Sequence, residues 1–180
     1  EAVAAAVKGK LGAPSRFDIS GADISHSKIL EYVFRGDAEK ITDTLANLDA
    51  DAFDLAVDMI AEARRVYIVA VRSAAPVGDF LAFYLRMVVD DVAVVTTNSS
   101  SEIFEQMINV GEKDAVIGIS FPRYSMRTLK ALEFANNRNA KVIAITDSIH
   151  SPMNLYSSCN LFARSDMATV VDSMTAPMSL

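Results

Sequence analysis

Between residues 66 and 163 the chain alternates short, continuously apolar runs with longer amphipathic stretches, and this alternation fixes the class of fold. The apolar runs are 66–71, 92–96, 115–119, 141–146 and 160–163. They lack the in-out alternation of a half-exposed strand, so they are expected to be strands buried on both faces. The stretches between them have helical spacing. One carries Val77, Phe80, Leu81, Tyr84 and Val88; the next carries Ile103, Phe104, Met107 and Ile108; the third carries Met126, Leu129, Leu132 and Ala135. Ser99 followed by Glu102 forms a capping-box pattern at the start of the second. Strand–helix repetition of this kind demands right-handed crossovers, and so an α/β fold with a doubly wound parallel five-stranded sheet between two helical layers.

Upstream the character changes. Residues 28–45 and 51–63 are expected to be helices, started by polar caps around Ser25 or Ser27 and at Asp49 or Asp51. Phe53, Val57 and Ile60 would turn the second helix onto the sheet. Residues 9–27, with Gly9, Gly12, Pro14 and Gly21, have the composition of a linker. Ahead of it, 1–8 forms a helical stretch with no partner of its own, and a new apolar pattern begins at Val170. The chain is therefore expected to be a piece of a longer protein, with its main domain over 28–180.

Composition excludes several classes. Hydrophobic residues at 51% and charged residues at 22% are those of an ordinary globular domain. A net charge of −6, with 17 basic residues against 23 acidic ones, argues against a nucleic-acid surface on this piece. Cys159 is the single cysteine, so no internal disulfide or thiol metal site can form, and its apolar surroundings suggest a buried, inert thiol. Apolar runs stop well short of membrane-spanning length, and no segment has the pattern of a signal peptide. The expected compartment is the cytoplasm.

Chemistry concentrates in the loops after the strands. Arg72 and Ser73 follow the first; Asn98, Ser99 and Ser100 follow the second. The third runs into Ser120-Phe121-Pro122-Arg123-Tyr124-Ser125, and the fourth into Thr146-Asp147-Ser148 and Ser151-Pro152. In a parallel sheet all these loops share one rim, where hydroxyls, free amides and a planar guanidinium fork suit an anion beside a helix N-terminus. Arg72, Ser73, Asn98, Ser99, Ser100, Ser120, Arg123 and Ser125 are the candidate ligand-binding residues. A plainer reading stands beside this one: serines cap helices, so Ser125 caps its own, and Arg123 forms a surface ion pair or, with Tyr124, a dimer contact. The chain has neither a glycine-rich dinucleotide fingerprint after the first strand nor a Walker-type lysine loop, so no cofactor is expected.

With these residues the chain resembles the sugar isomerase (SIS) domain, most closely that of bacterial RpiR/MurR-type transcriptional regulators. The resemblance covers about residues 49–180. It rests on Arg72-Ser73, the 120–125 loop, Thr146-Asp147-Ser148 and Ser151-Pro152. It implies a flavodoxin-like strand order and a sugar-phosphate effector held by the third loop. That loop usually reads Ser-x-Ser-Gly-x-Thr in the family; here Ser120 and a hydroxyl at Ser125 are kept, while Pro122 and Arg123 replace the central Ser-Gly. Arg72 likewise stands where a glycine is usual. The resemblance further implies that 1–8 is the end of an N-terminal helix-turn-helix domain. Operator DNA would be a partner only through that domain, and no membrane is expected as one.

An enzyme of the same fold, a sugar-phosphate aldose–ketose isomerase, is the main alternative. It would need a general base and acid, for which Glu102 and His150 are the candidates. Glu102 is already explained by its capping box and His150 by a polar loop, so a sensor rather than an enzyme is expected. A homodimer or higher oligomer is expected from the first crossover helix, where Phe80, Phe83, Tyr84, Leu85 and Met87 are apolar around more than one face.

Overall fold

In a computed structural model the described residues are 26–96, 99–166 and 172–180. The expected helical stretch 1–8, nearly all of the 9–27 linker, the apolar pattern starting at Val170, and Asn98 lie outside them. The described elements run α1 (His26–Ala46), α2 (Ala50–Ala61), β1 (Val66–Ala70), α3 (Ala75–Leu85), β2 (Val92–Val94), α4 (Ser100–Gln106), β3 (Ala115–Ile119), α5 (Met126–Asn137), β4 (Lys141–Thr146), β5 (Cys159–Phe162) and α6 (Thr175–Ser179). Short 3₁₀ turns cover Arg72–Ala74 and Pro152–Leu155.

The five strands form one parallel sheet in the order β2-β1-β3-β4-β5, which is the flavodoxin-like order. Val66 pairs with Ala115, Ala115 with Lys141, and Ile143 with Cys159. Alternate residues feed two separate cores. Ile68, Ile117, Ile143 and Leu161 pack with Ala56 and Met59 of α2 and Val77 and Ala82 of α3. Tyr67, Val69, Val116 and Val142 pack with Ile103 and Met107 and with Leu129, Leu132 and Ala135 of α5. Both faces of the sheet are covered, which is why the strands carry no polar alternation.

Several local expectations shift. On α2 the buried positions are Ala56 and Met59, whereas Phe53 and Val57 are exposed. Ile60 packs against the core as its spacing predicts, together with Ala52, and the helix is rotated so that Ala56 and Met59 take the buried places expected of Phe53 and Val57. Asp49 rather than Asp51 is the cap, accepting from the Ala52 N–H at 3.1 Å. Ser99 occupies the N-cap of α4, yet its hydroxyl makes no capping bond and pairs with the Ser101 hydroxyl at 2.8 Å. The Ser99 side chain thus does not make the N-cap bond that its spacing with Glu102 predicts. Met126 and Val88 are exposed rather than core, Val88 lying beyond the end of α3. Cys159 is buried, its Sγ–H donating to the Ala52 carbonyl at 3.1 Å. Among the described residues no helix is long and apolar enough to cross a membrane.

Candidate functional site

The strand order reverses between β1 and β3, so their following loops diverge and leave a crevice at the carboxyl edge of the sheet. A cavity of about 220 Å³ opens there, lined by residues 71–74 from the first loop and by Ser120, Phe121, Pro122, Arg123 and Ser125 from the third. Five of the eight expected ligand residues, Arg72, Ser73, Ser120, Arg123 and Ser125, thus share one cavity. Ser99 is not among its lining residues, and the Ser100 side chain lies outside the described residues. Arg72 also lines an adjoining cavity of about 300 Å³ with Asp79, Val94 and Thr96.

The third loop is shaped by its own serines. Ser120 extends the sheet, donating its N–H to the Ile145 carbonyl at 3.2 Å, while its hydroxyl oxygen accepts the Ser125 N–H at 3.1 Å. Ser125 is the N-cap of α5 and accepts the Thr128 N–H at 3.5 Å. Both oxygens serve structure through lone pairs, and each O–H proton is left to donate elsewhere. The capping reading of Ser125 is therefore realised without removing it from the cavity wall.

The arginines differ in their commitments. Arg123 donates from Nη2 to Asp172 Oδ2 at 2.7 Å, so its ion-pair reading also holds. Arg72 is exposed and, among the described residues, has no carboxylate partner. Both hold a left-handed backbone, φ 60° at Arg72 and φ 69° at Arg123. These are the two positions at which the resembled loops carry glycine, and the backbone here keeps the glycine conformation under an arginine. A Cβ in that region is strained by about 1 kcal/mol or more, a cost that recurs where a side chain is needed for binding.

The fourth loop does not join the cavity. Thr146 Oγ1 donates to Ser151 Oγ at 2.9 Å, and Ser151 caps the following 3₁₀ turn. Tyr124 donates its hydroxyl to Asp147 Oδ1 at 2.7 Å, which ties the third loop to the fourth. Burial, followed by the Asp147 carboxylate, pushes the Tyr124 phenol up to about 12. The fourth loop's hydroxyls thus fix a corner, and local sequence could not separate that role from binding. His150 is exposed in this loop and Glu102 is exposed on α4; neither lines the cavity. Asp172, the partner of Arg123, went unnoticed in the sequence because 49 residues separate the two.

A larger cavity, about 370 Å³, lies on the α2/α3 face against apolar side chains including Phe53, Phe80, Ile119 and Met178. It offers no charge with which to select an anion. Among the described residues no cluster of His, Cys, Asp and Glu could hold a metal ion.

The SIS domain model matches residues 59–180. The sugar isomerase domain of the RpiR transcription factor from Sphaerobacter thermophilus is 28% identical, with a TM-score of 0.77 over 82% of this chain and 82% of that one. The Vibrio vulnificus NanR protein complexed with ManNAc-6P has a TM-score of 0.73 over 92% of this chain and 61% of that one; at 16% identity this likeness is one of fold. Glutamine–fructose-6-phosphate aminotransferase (isomerizing) of Pyrobaculum aerophilum is 28% identical over 127 residues, 70% of this chain. The chain spans only 20% of that protein's length.

Proposed function

The chain belongs to the SIS domain family, and from that premise we propose that it is an effector-sensing domain that binds a phosphosugar or similar small anionic carbohydrate derivative. The observation that carries this reading is the convergence of Arg72, Ser73, Ser120, Arg123 and Ser125 on one cavity at the β1/β3 switch. Two guanidiniums supply charge, and three hydroxyls beside the N-terminus of α5 supply donors, the combination that selects a small anion bearing hydroxyls. The likeness to the sugar isomerase domain of an RpiR transcription factor supports a regulatory role, in which the effector modulates DNA binding by a helix-turn-helix domain preceding the linker. In this proposal residues 1–8 end that domain, 9–27 are the linker, and the protein works as a homodimer or higher oligomer.

Sensing is favoured over isomerisation by the lining of the cavity. Isomerisation moves a proton between adjacent sugar carbons and needs a base within hydrogen-bond reach of them. Among the described residues that line it there is no carboxylate and no imidazole.

Calorimetry and thermal shift against a panel of phosphosugars and their unphosphorylated counterparts, with proton NMR of each mixture, test the proposal. The expected result is saturable binding of at least one phosphorylated member with no conversion of it. Turnover of any member would transfer the reading to an isomerase. Equal binding of phosphorylated and free sugars would remove the anion site.

A further inference from the structure

The cavity that gathers the expected ligand residues is small for a sugar bearing a phosphate. At about 220 Å³ it falls short of the roughly 300–1,000 Å³ typical of sites for small organic molecules. A second cavity of about 300 Å³ shares Val71 and Arg72 with it, so the two meet at the end of β1. The second is walled by alanine and valine apart from Arg72, Asp79 of α3 and Thr96 after β2. Asp79 and Thr96 are exposed, and among the described residues neither side chain makes a hydrogen bond or ion pair. Arg72 and Asp79 thus line one cavity with opposite charges and form no salt bridge. The Asp79 carboxylate serves no contact of the fold and is open to a ligand.

We propose that Asp79 sets the specificity of the sensor: the phosphate of the effector occupies the first cavity, its chain passes Arg72, and its far hydroxyls donate to Asp79 in the second. The inference rests on the anion-site reading above and narrows the ligand to a chain with one anionic end and one hydroxyl-bearing end. An ionised carboxylate only accepts hydrogen bonds, so hydroxyls are partners it can use. The alanine and valine walls suit the C–H groups between those hydroxyls. A bisphosphate, or a sugar acid with a phosphate, would bring a second negative group to Asp79. An unpaired like charge placed against a competitor is a common means of rejecting it. Two arginines alone would favour the more highly charged ligand; Asp79 reverses that preference.

The test is calorimetry on the full 180-residue chain with inorganic phosphate, glycerol 3-phosphate, sorbitol 6-phosphate and sorbitol 1,6-bisphosphate. The two short probes report on the first cavity, and the hexitol chain reaches toward the second. Sorbitol 6-phosphate is expected to bind about tenfold tighter than either short probe, the yield of one hydrogen bond to a charged group. It should also outbind the bisphosphate. Asp79→Ala, at an exposed side chain without partners, is expected to remove both advantages while inorganic phosphate binds about as before. Asp79→Asn keeps an acceptor and drops the charge, so it should admit the bisphosphate while sorbitol 6-phosphate still outbinds inorganic phosphate. Saturable phosphate binding with no gain for sorbitol 6-phosphate in the native chain overturns the Asp79 assignment alone. So does a gain that survives Asp79→Ala, or rejection of the bisphosphate that is unchanged in both variants. No saturable binding of any probe overturns the anion site, and this inference with it.

Discussion

Gly78 of α3 and Ala70 of β1 approach so closely that a Cβ built on Gly78 would lie 2.6 Å from the Ala70 Cβ. The neighbour is a short side chain rooted in a buried strand, so it cannot swing away. Gly78→Ala gains helix propensity of up to about 1 kcal/mol, yet overpacking here costs about 1–3 kcal/mol. A net loss of about 1–2 kcal/mol in chemical denaturation is expected. Because α3 follows directly on the Arg72–Ala74 turn, the displaced helix should also weaken anion binding. A variant as stable as the native chain would mean that the α3–β1 contact is looser than described.

The bond from Tyr124 to Asp147 gives a pH dependence of definite sign. The phenol is raised to about 12 from an ordinary 10.0, by burial and then by the carboxylate it donates to. The folded chain thus keeps a proton that the unfolded chain has released between those values. Its contribution is fully present below pH 10 and is lost as pH climbs toward 12. For a half-buried group the amount is about 1 kcal/mol after allowing for solvent screening. Tyr124→Phe should flatten the fall in stability over this window in urea titrations at successive pH values. An unchanged slope would assign the fall to other groups.

Elements buried on both faces were legible in the sequence because burial leaves continuous apolar runs. The bounds of β3 and β4 match the expected ones, and β1 and β5 differ by a residue at their ends. Helix faces were less legible. Phe53 and Val57 have the spacing of a core stripe, yet Ala56 and Met59, three residues apart and so also on one helix face, meet the sheet with Ile60. The sequence offers both stripes, and packing selects between them. At the candidate site, sequence placed the loops on one rim, and the strand order decides which of them adjoin. The hydroxyls of Thr146 and Ser151 were drawn into the same group as those of Ser120 and Ser125, although they satisfy each other. Nothing local distinguishes a hydroxyl that pairs with another from one that lines a cavity. The ion pair of Arg123 was among the readings its sequence allowed, while its partner, from beyond β5, could be named only once the chain was folded.

Asp114 and Arg64 separate stability from binding. Asp114 is fully buried and accepts from Arg64 Nε at 2.9 Å, Arg64 Nη2 at 2.8 Å and the Gly111 N–H at 2.9 Å. The pair joins the amino ends of β1 and β3, at the opposite edge of the sheet from the cavity. Asp114→Ala leaves the Gly111 N–H without an acceptor, while the Arg64 guanidinium, 59% exposed, stays solvated. A loss of about 1–3 kcal/mol is expected from the orphaned buried donor alone. Phosphate affinity measured well below the new melting temperature should be unchanged. A parallel loss of affinity would show that the two edges of the sheet are coupled.

Arg72 offers the sharpest separation of fold from function, because its backbone and its side chain make opposite demands. At φ 60° a Cβ is strained, while the guanidinium, with no carboxylate partner among the described residues, lines two adjoining cavities. Arg72→Gly removes the strain and the charge together; Arg72→Ala removes the charge alone. The glycine variant is expected to be up to about 1 kcal/mol more stable than the alanine variant, the usual advantage of glycine in this region. Alanine should match the native chain, since an exposed, unpaired arginine contributes little to stability. Both variants should lose phosphate affinity to a similar extent, about tenfold for one charged contact of about 1.4 kcal/mol. A glycine variant that is more stable yet binds more weakly would mark Arg72 as a residue held in strain for its ligand. Native affinity in both variants would remove Arg72 from the site, and equal stability of glycine and alanine would remove the strained backbone from the account.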